Sequence, residues 1–130
     1  MRHSIKRILV TGSRRVADRG VVERALDELL EDTNVSTTLV HGDAAGMDAT
    51  AARVAWELFG FKPEAHPADW SRGLGAGYER NQAMVDLGAD VCLAFPCERS
   101  KGTWDCVRRA VLAGIPTRVW IVEPEVVAQW

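Results

Sequence analysis

Short apolar runs alternate along the chain with longer segments whose apolar residues repeat at helical spacing. The short runs are rich in β-branched residues and are bounded by glycine, proline or polar residues, which is typical of buried strands. They predict strands at residues 7–11, 37–40, 62–66, 91–95 and 117–122. The intervening segments predict helices at residues 21–30, 48–59, 78–87 and 103–113. Asp18 is a suitable N-cap for the first helix, and Gly60 a suitable end for the second.

Alternating strands and helices with short connections indicate a parallel sheet that is covered on both faces. We therefore predict an α/β fold, a Rossmann-like three-layer sandwich with a mainly parallel central sheet of about five strands. Pro63 removes a backbone donor, so its strand is expected at an edge of the sheet. The length of 130 residues predicts a single domain spanning residues 1–130. The strand residues expected to be buried are Leu9, Val10, Leu39, Val40, Val91, Leu93, Val119 and Ile121.

Charge and composition exclude several classes of protein. The 16 basic and 18 acidic residues give a net charge of −2, which argues against binding to nucleic acid or an anionic membrane. No apolar run reaches the roughly 18–20 residues of a membrane span, and the N-terminus lacks a signal-peptide core. We therefore expect a cytoplasmic protein. Cys97 and Cys106 lack the paired spacing of a zinc site, so we predict neither a metal nor a cofactor.

In open parallel sheets, ligands bind beyond the carboxyl ends of the strands, so the loops there are the candidate sites. In the first loop, Gly12 permits close approach of a ligand, and Ser13 and Arg14 can donate to a phosphate. The loop has neither the three glycines of a dinucleotide fingerprint nor the Gly-Lys-Ser/Thr of a Walker loop. A tight turn with solvated arginines is the alternative interpretation.

The second loop, residues 41–48, places Gly42 and Gly46 on either side of a predicted helix start. Asp43 and Asp48 are candidate acceptors for ribose hydroxyls, or one of them is a base. A structural role is equally consistent for Asp48, since an acid in the first turn stabilises the helix dipole. His41 at the strand end is either a ligand contact or a structural histidine.

The third and fourth loops carry aromatic and phosphate-binding residues. Trp70 in a glycine-rich loop can stack on a nucleobase or pack as a lid on the domain. Arg80, followed by Asn81, suits bidentate binding of a phosphate, and a surface ion pair is its alternative role. In the fourth loop, Gly102 and Thr103 at a predicted helix start form a phosphate seat.

These motifs in order resemble the YspA/YpsA-related branch of the SLOG superfamily. The residues that carry the resemblance are Leu9–Arg14, His41–Asp48, Pro67–Trp70, Arg80–Met84 and Phe95–Thr103, within a match from about Lys6 to Val122. The resemblance implies a Rossmann-like SLOG domain that binds nucleotides or nucleotide-derived signals, with Pro96 in the ligand-binding loop. The superfamily includes the Lonely Guy phosphoribohydrolases, which cut the N-glycosidic bond of nucleoside monophosphates, and the DNA-binding DprA proteins.

The chain departs from the Lonely Guy pattern at one catalytic position. Glu79-Arg80 resembles a Glu-Arg pair of the Lonely Guy enzymes, in which the arginine is catalytic. The Lonely Guy motif Pro-Gly-Gly-x-Gly-Thr-x-x-Glu corresponds to Pro96 through Cys106, where both early glycines are replaced and Cys106 stands at the position of the catalytic glutamate. Asp105 lies one position earlier, about 100° around the helix.

Two hypotheses of different class follow. The first is a domain that binds a nucleotide or phospho-sugar as a sensor or carrier, without turnover. The second is a nucleotide N-glycosidase, in which Arg80 holds the phosphate while Asp48, Asp69 or Asp105 stabilises the cationic sugar. Five tryptophans in 130 residues, together with the resemblance to dimeric Lonely Guy enzymes, predict a homodimer or higher homo-oligomer.

Overall fold

The computed structural model describes residues 4–124 and contains a five-stranded sheet in which every neighbouring pair of strands is parallel. The strands are β1 (Arg7–Gly12), β2 (Thr38–His41), β3 (Lys62–Ala65), β4 (Val91–Phe95) and β5 (Thr117–Val119). The helices are α1 (Arg19–Asp27), α2 (Met47–Val54), α3 (Ala76–Asp86) and α4 (Lys101–Leu112). The predicted Rossmann-like α/β fold is confirmed.

Side chains of the central strand β1 alternate between two apolar clusters. Ile8 and Val10 pack into a cluster with residues of α1 and α2, including Val22 and Leu26. Leu9 packs into a second cluster with residues of α3 and α4. Because successive strand residues point to opposite faces, the two clusters form the two interfaces of a three-layer sandwich.

The order of the strands, β3-β2-β1-β4-β5, creates a switch point beside β1. From β1 the chain moves outward through β2 to β3, and it then returns to place β4 on the other side of β1. Gly12 at the end of β1 lies in register with Phe95 at the end of β4. The loops that follow these two strands therefore depart in opposite directions, which leaves the crevice where such sheets bind ligands.

The helix boundaries follow the predicted signals to within a few residues, with local differences. Asp18 is the N-cap of α1, and its carboxylate accepts from Val21 N, as predicted. The predicted second helix is divided into α2 and a π-helical turn, Ala55–Phe59, that ends at Gly60 with φ of 71°. Helix α4 begins two residues before the predicted start at Thr103, so Gly102 lies within its first turn.

We expect Asp18→Ala to lower the free energy of unfolding by about 1 kcal/mol, because the substitution leaves Val21 N without its capping acceptor. Urea denaturation of both proteins measures the difference. Asp27→Ala is the matched control, since it removes a carboxylate from the exposed end of the same helix. Equal losses in the two variants would show that charge, and not the cap, is responsible.

The prediction that Val119 and Ile121 are buried is wrong. Their side chains are 42% and 65% exposed, whereas Trp120 and Val122 pack against the core. The ladder beyond β5 continues through Trp120 N to Ala94 O and Val122 N to Pro96 O. Buried and exposed side chains therefore alternate along this edge segment in the opposite order from the prediction: the even-numbered residues Trp120 and Val122 face the core, and Val119 and Ile121 face away from it.

At the other edge of the sheet lies β3, which contains Pro63, as predicted. Glu123 and Pro124 are not helical, and Trp130, one of the five tryptophans, lies outside the described residues. Trp104 is exposed on α4.

Within residues 4–124, none of the helices has the length and apolar character needed to cross a membrane.

Candidate ligand-binding site

A cavity of about 270 Å³, called here the switch-point cavity, lies at the carboxyl ends of β1 and β4. It is bounded by the loops after β1, β2 and β4 and by parts of α2, α3 and α4. Its lining includes nine of the residues that the sequence singled out: Gly12, Ser13, Arg14, Gly42, Asp48, Arg80, Asn81, Gly102 and Thr103. The lining comes from four segments of the chain, residues 11–15, 42–48, 80–84 and 97–103. Three of them connect the end of a strand to a helix at this edge of the sheet, and the fourth belongs to α3.

Basic side chains outnumber acidic ones around the switch-point cavity. Its five basic lining residues are Arg14, Arg15, Arg80, Arg99 and Lys101, against the two acids Asp48 and Glu98. The chain as a whole has a net charge of −2, so positive charge is concentrated at this place. Such a concentration attracts anions, and a concave low-dielectric wall strengthens the attraction.

The first turn of α4 supplies backbone donors to the same cavity. Amides at a helix start have no acceptor within the helix, and Ser100 makes no capping bond through its side chain. A Cβ atom at Gly102 would meet nothing within 4 Å, so the space beside this turn is open. Unpaired amides at a helix start, together with the helix dipole, are groups with which proteins commonly bind phosphate.

Arg80 is fixed in place by three protein acceptors. Its Nη1 donates to the carbonyl oxygens of Gly42 and, at 3.3 Å, His66, and its Nε donates to Asn81 Oδ1 at 3.0 Å. The Nδ2 of Asn81 in turn donates to Gly102 O at 3.1 Å. The Nη2 of Arg80 has no hydrogen-bond partner within residues 4–124, which leaves that end of the guanidinium free for an anion.

Two glycines allow the first and second loops to pack directly against each other. A Cβ atom at Gly12 would lie 2.5 Å from Met47 Cβ, and one at Gly46 would lie 2.7 Å from the carbonyl carbon of Arg14. The contact is closed by Met47 N, which donates to Ser13 O at 2.9 Å. Gly46 therefore allows the two loops that form the cavity to pack closely, although it is not itself among the lining residues.

Asp48 is a buried acid in the wall of the switch-point cavity. Its Oδ2 accepts from Gly42 N at 2.9 Å and Ala44 N at 3.4 Å, which fixes the second loop. Its Oδ1 is buried and has no hydrogen-bond partner in the described part of the chain. Burial raises the pKa of Asp48 to about 6, against the opposing effect of the two amides and of Arg80 and Arg14.

The raised pKa of Asp48 predicts a pH dependence of stability. A carboxyl with a folded pKa near 6 and an unfolded value of 3.8 stabilises the fold while protonated, and this contribution is lost as pH rises from about 4 to 6. Asn at this position cannot ionise. Relative to the wild type, Asp48→Asn should therefore gain about 2 kcal/mol of stability between pH 4 and pH 7. Urea denaturation at both pH values measures this, and a constant difference would contradict it.

A second cavity adjoins the first and shares four lining residues with it, Arg14, Gly42, Ala44 and Arg80. Trp70 and Asp43 line it as well. The guanidinium of Arg14 lies 5.0 Å from the centroid of the Trp70 ring, which is half exposed. This cation–π pair offers a flat surface of the kind on which a planar ring can stack.

Cys97 also belongs to the switch-point cavity. Its Sγ lies 3.0 Å from Ser13 Oγ and 3.4 Å from Ser100 Oγ. Hydrogen bonds from these two hydroxyls lower the pKa of the thiol, with a smaller contribution from Arg15. The contacts join the first loop to the fourth. By contrast, Cys106 is fully buried, and burial raises its pKa to about 11.

Three predicted binding residues make internal contacts and do not line either cavity. Gly46 packs against the first loop, as described above. The ring of His41 is buried, its Nδ1 accepts from Asp43 N at 3.0 Å, and burial lowers its pKa. Pro96 is buried, and its carbonyl accepts from Val122 N. These residues support the loops that carry the cavity.

Two candidate acids lie away from the switch-point cavity. The carboxylate of Asp69 accepts from the backbone and hydroxyl of Ser71, so it caps the turn Trp70–Arg72. That of Asp105 accepts from Asn81 Nδ2 at 3.1 Å and from Arg109 Nε at 2.8 Å. Burial opposes ionisation of Asp105, but the hydrogen bonds from Arg109 and Asn81 outweigh it and lower the pKa. Asp105 therefore positions Asn81, which in turn contacts Arg80.

Other cavity residues were not among the predicted site residues. Arg15, Arg99 and Lys101 were visible in the sequence as basic residues within predicted loops, which was the available signal. No comparable sequence signal points to the contacts of Ser100 or to Met84, which lines the cavity from α3. No three or more His, Cys, Asp or Glu side chains within residues 4–124 are grouped so that they could hold a metal ion.

The fold and the cavity define a Rossmann-like α/β protein with a crevice at its switch point that is lined by basic side chains. Residues 6–73 match the family described as YAcAr, the YspA, cpYpsA-related SLOG family. A protein of Mycobacterium phage D29 described as Gene 61 protein is 49% identical over 117 residues, which cover 86% of this chain and 94% of that protein. No solved structure matches the chain. The chain belongs to the YspA, cpYpsA-related SLOG family.

Proposed function

We propose that the protein binds a nucleotide or nucleotide-derived ligand in the switch-point cavity, as a sensor or carrier. The observation that carries the proposal is the convergence of the α4 start, the free Nη2 of Arg80 and four further basic side chains on one cavity. Membership of the SLOG family is consistent with nucleotide-related binding.

The arrangement of the two cavities favours a ligand with a phosphate at one end and a planar group at the other. The phosphate lies against Gly102, Thr103 and Arg80 in the switch-point cavity. The planar group lies in the adjoining cavity, against the Trp70–Arg14 pair. Since Arg14 and Arg80 line both cavities, one ligand of the length of a nucleotide can span them.

A thermal-shift screen with phosphate, nucleoside monophosphates and dinucleotides tests the proposal. A ligand at a hundred times its dissociation constant adds about 2.7 kcal/mol of stability. For a domain of this size, that gain raises the melting temperature by about 10 °C. If no phosphorylated compound raises it, and inorganic phosphate at high concentration has no effect, the proposal fails.

Hydrolysis of the N-glycosidic bond is the second candidate function, and the carboxylate of Asp48 in the same cavity favours it. A carboxylate near the sugar can stabilise the positive charge that develops as the bond breaks. Cys106 supplies no carboxylate, and Asp105 is engaged by Arg109. Incubation with nucleoside monophosphates and detection of ribose 5-phosphate separates turnover from binding alone.

Self-association remains a prediction. Large apolar side chains on the outer face of α4, among them Trp104, Val111 and Leu112, are exposed in the single chain. Aromatic and aliphatic residues of this kind are enriched at the centres of interfaces. We expect a dimer or larger species in sedimentation velocity experiments at tens of micromolar protein, and a monomer would contradict this.

A further inference from the structure

We propose that the ligand carries a sugar hydroxyl next to its phosphate, and that Asp48 accepts a hydrogen bond from this hydroxyl. The protein would therefore bind a sugar phosphate that carries this hydroxyl more tightly than the deoxy sugar phosphate that lacks it. This inference rests on the proposed function, because it names the part of the ligand that lies between the phosphate and the planar group.

The inference begins with the unmatched acceptor of Asp48. The residue is 5% exposed and lines the switch-point cavity, and its Oδ1 has no donor within residues 4–124. A buried polar atom without a partner is costly, so such groups are usually satisfied. The Oδ2 atom is already engaged by the amides of Gly42 and Ala44, which fixes the carboxylate in position.

The phosphate of a sugar or nucleotide monoester cannot satisfy this oxygen. With a second pKa of about 6 it is fully ionised at pH 8, so its oxygens only accept, and beside a carboxylate it brings repulsion and no donor. The ligand must therefore bring an N–H or O–H group. In a nucleotide, the hydroxyls of the sugar are the donors closest to the phosphate, whereas the amino groups of the base lie at the far end.

The positions of the lining residues favour the sugar over the base as the source of the donor. Asp48 shares its cavity with Gly102 and Thr103 but is absent from the lining of the cavity that contains Trp70. The base would occupy the cavity with Trp70, and the phosphate would occupy the start of α4. Asp48 lines the first cavity and is hydrogen-bonded to the backbone of Gly42, which lines both, so its carboxylate lies closest to the sugar that joins the two ends of the ligand.

Calorimetric titration at pH 8 with four probes tests the inference: inorganic phosphate, ribose 5-phosphate, and the 2-deoxy and 3-deoxy forms of ribose 5-phosphate. A hydrogen bond to a charged partner predicts that at least one deoxy sugar phosphate binds about tenfold or more weakly than ribose 5-phosphate. In Asp48→Asn, the amide oxygen can still accept from Gly42 N, and Nδ2 can only donate to the oxygen of the sugar hydroxyl in a neutral hydrogen bond. Because a neutral hydrogen bond is weaker than one to a charged acceptor, the preference for ribose 5-phosphate over the weaker deoxy compound should fall by about fivefold or more.

The possible outcomes separate this inference from the proposed function. Equal affinity of the wild type for all three sugar phosphates overturns the inference, as does a preference of undiminished size in Asp48→Asn. If neither phosphate nor any sugar phosphate binds, the proposed function itself fails, and the inference fails with it. Asp27→Asn, on the exposed surface of α1, is the matched control and should keep the discrimination. If Asp48→Asn does not fold, the comparison of sugars in the wild type still decides.

Discussion

Arg80→Ala is expected to weaken the binding of inorganic phosphate and ribose 5-phosphate by about tenfold to more than a hundredfold. The substitution removes a charge-assisted donor, and such hydrogen bonds contribute about 1.5–3 kcal/mol each. Arg80→Lys should bind with intermediate affinity, because it keeps the charge and loses the planar fork. Calorimetric titration of the three proteins measures these differences.

The fold should also weaken in Arg80→Ala, because the carbonyls of Gly42 and His66 lose their donor. The titrations therefore have to be made well below the melting temperature of the variant. Arg53→Ala is the matched control, since Arg53 is exposed near the far end of α2. Unchanged affinity in a folded Arg80→Ala variant would remove this residue from the site and transfer its role to Arg14 or Lys101.

Gly46→Ala is expected to lower the free energy of unfolding by about 2–6 kcal/mol and to abolish ligand binding. Gly46 has φ of 77° and ψ of −124°, a backbone conformation that costs a residue with a Cβ about 1–3 kcal/mol. The added methyl would also press against Ser13 O and Arg14, and overpacking of this kind costs about 1–3 kcal/mol. Relief of the clash requires the first loop to move away from the second, which opens the cavity.

Gly73→Ala separates backbone strain from the steric clash as causes of the lost stability, because Gly73 has φ of 101° and open space around its Cβ position. We expect this control to lose stability through backbone strain alone and to keep its ligand affinity. Urea denaturation and calorimetry on both variants make the comparison. If Gly46→Ala were no less stable than Gly73→Ala, the close packing of the two loops would not be a determinant of the fold.

The sequence was sufficient to predict the fold because strand and helix signals agreed along the chain. Apolar runs such as Val91–Phe95 identified buried parallel strands, and glycines marked where the elements end. The common edge of the candidate loops followed from the fold class, since all parallel strands end on the same side. This explains why residues as distant in sequence as Gly12 and Thr103 line one cavity.

Details that depend on tertiary contacts could not be predicted from sequence patterns. Residues 119–122 are all apolar, so the sequence is consistent with burial of either the odd-numbered or the even-numbered side chains. Only contacts with the core select Trp120 and Val122 as the buried residues. The sequence also cannot show that one carboxylate oxygen of Asp48 lacks a donor, because this depends on the positions of the amides of Gly42 and Ala44 in the folded loop. Asp105 was a candidate acid although it lies one position before the place of the catalytic glutamate, and Arg109 one turn later in α4 engages its carboxylate.

Amide chemical shifts in a ¹⁵N-labelled sample titrated with inorganic phosphate test the central claim most directly. We predict that the largest shifts occur at Lys101, Gly102 and Thr103, with smaller changes at Gly42 and Asn81, and that they saturate together. Shifts confined to other surfaces, such as the depression beside α1 that Leu30 and Val35 line, or no saturable shift at all, would contradict phosphate binding at the start of α4.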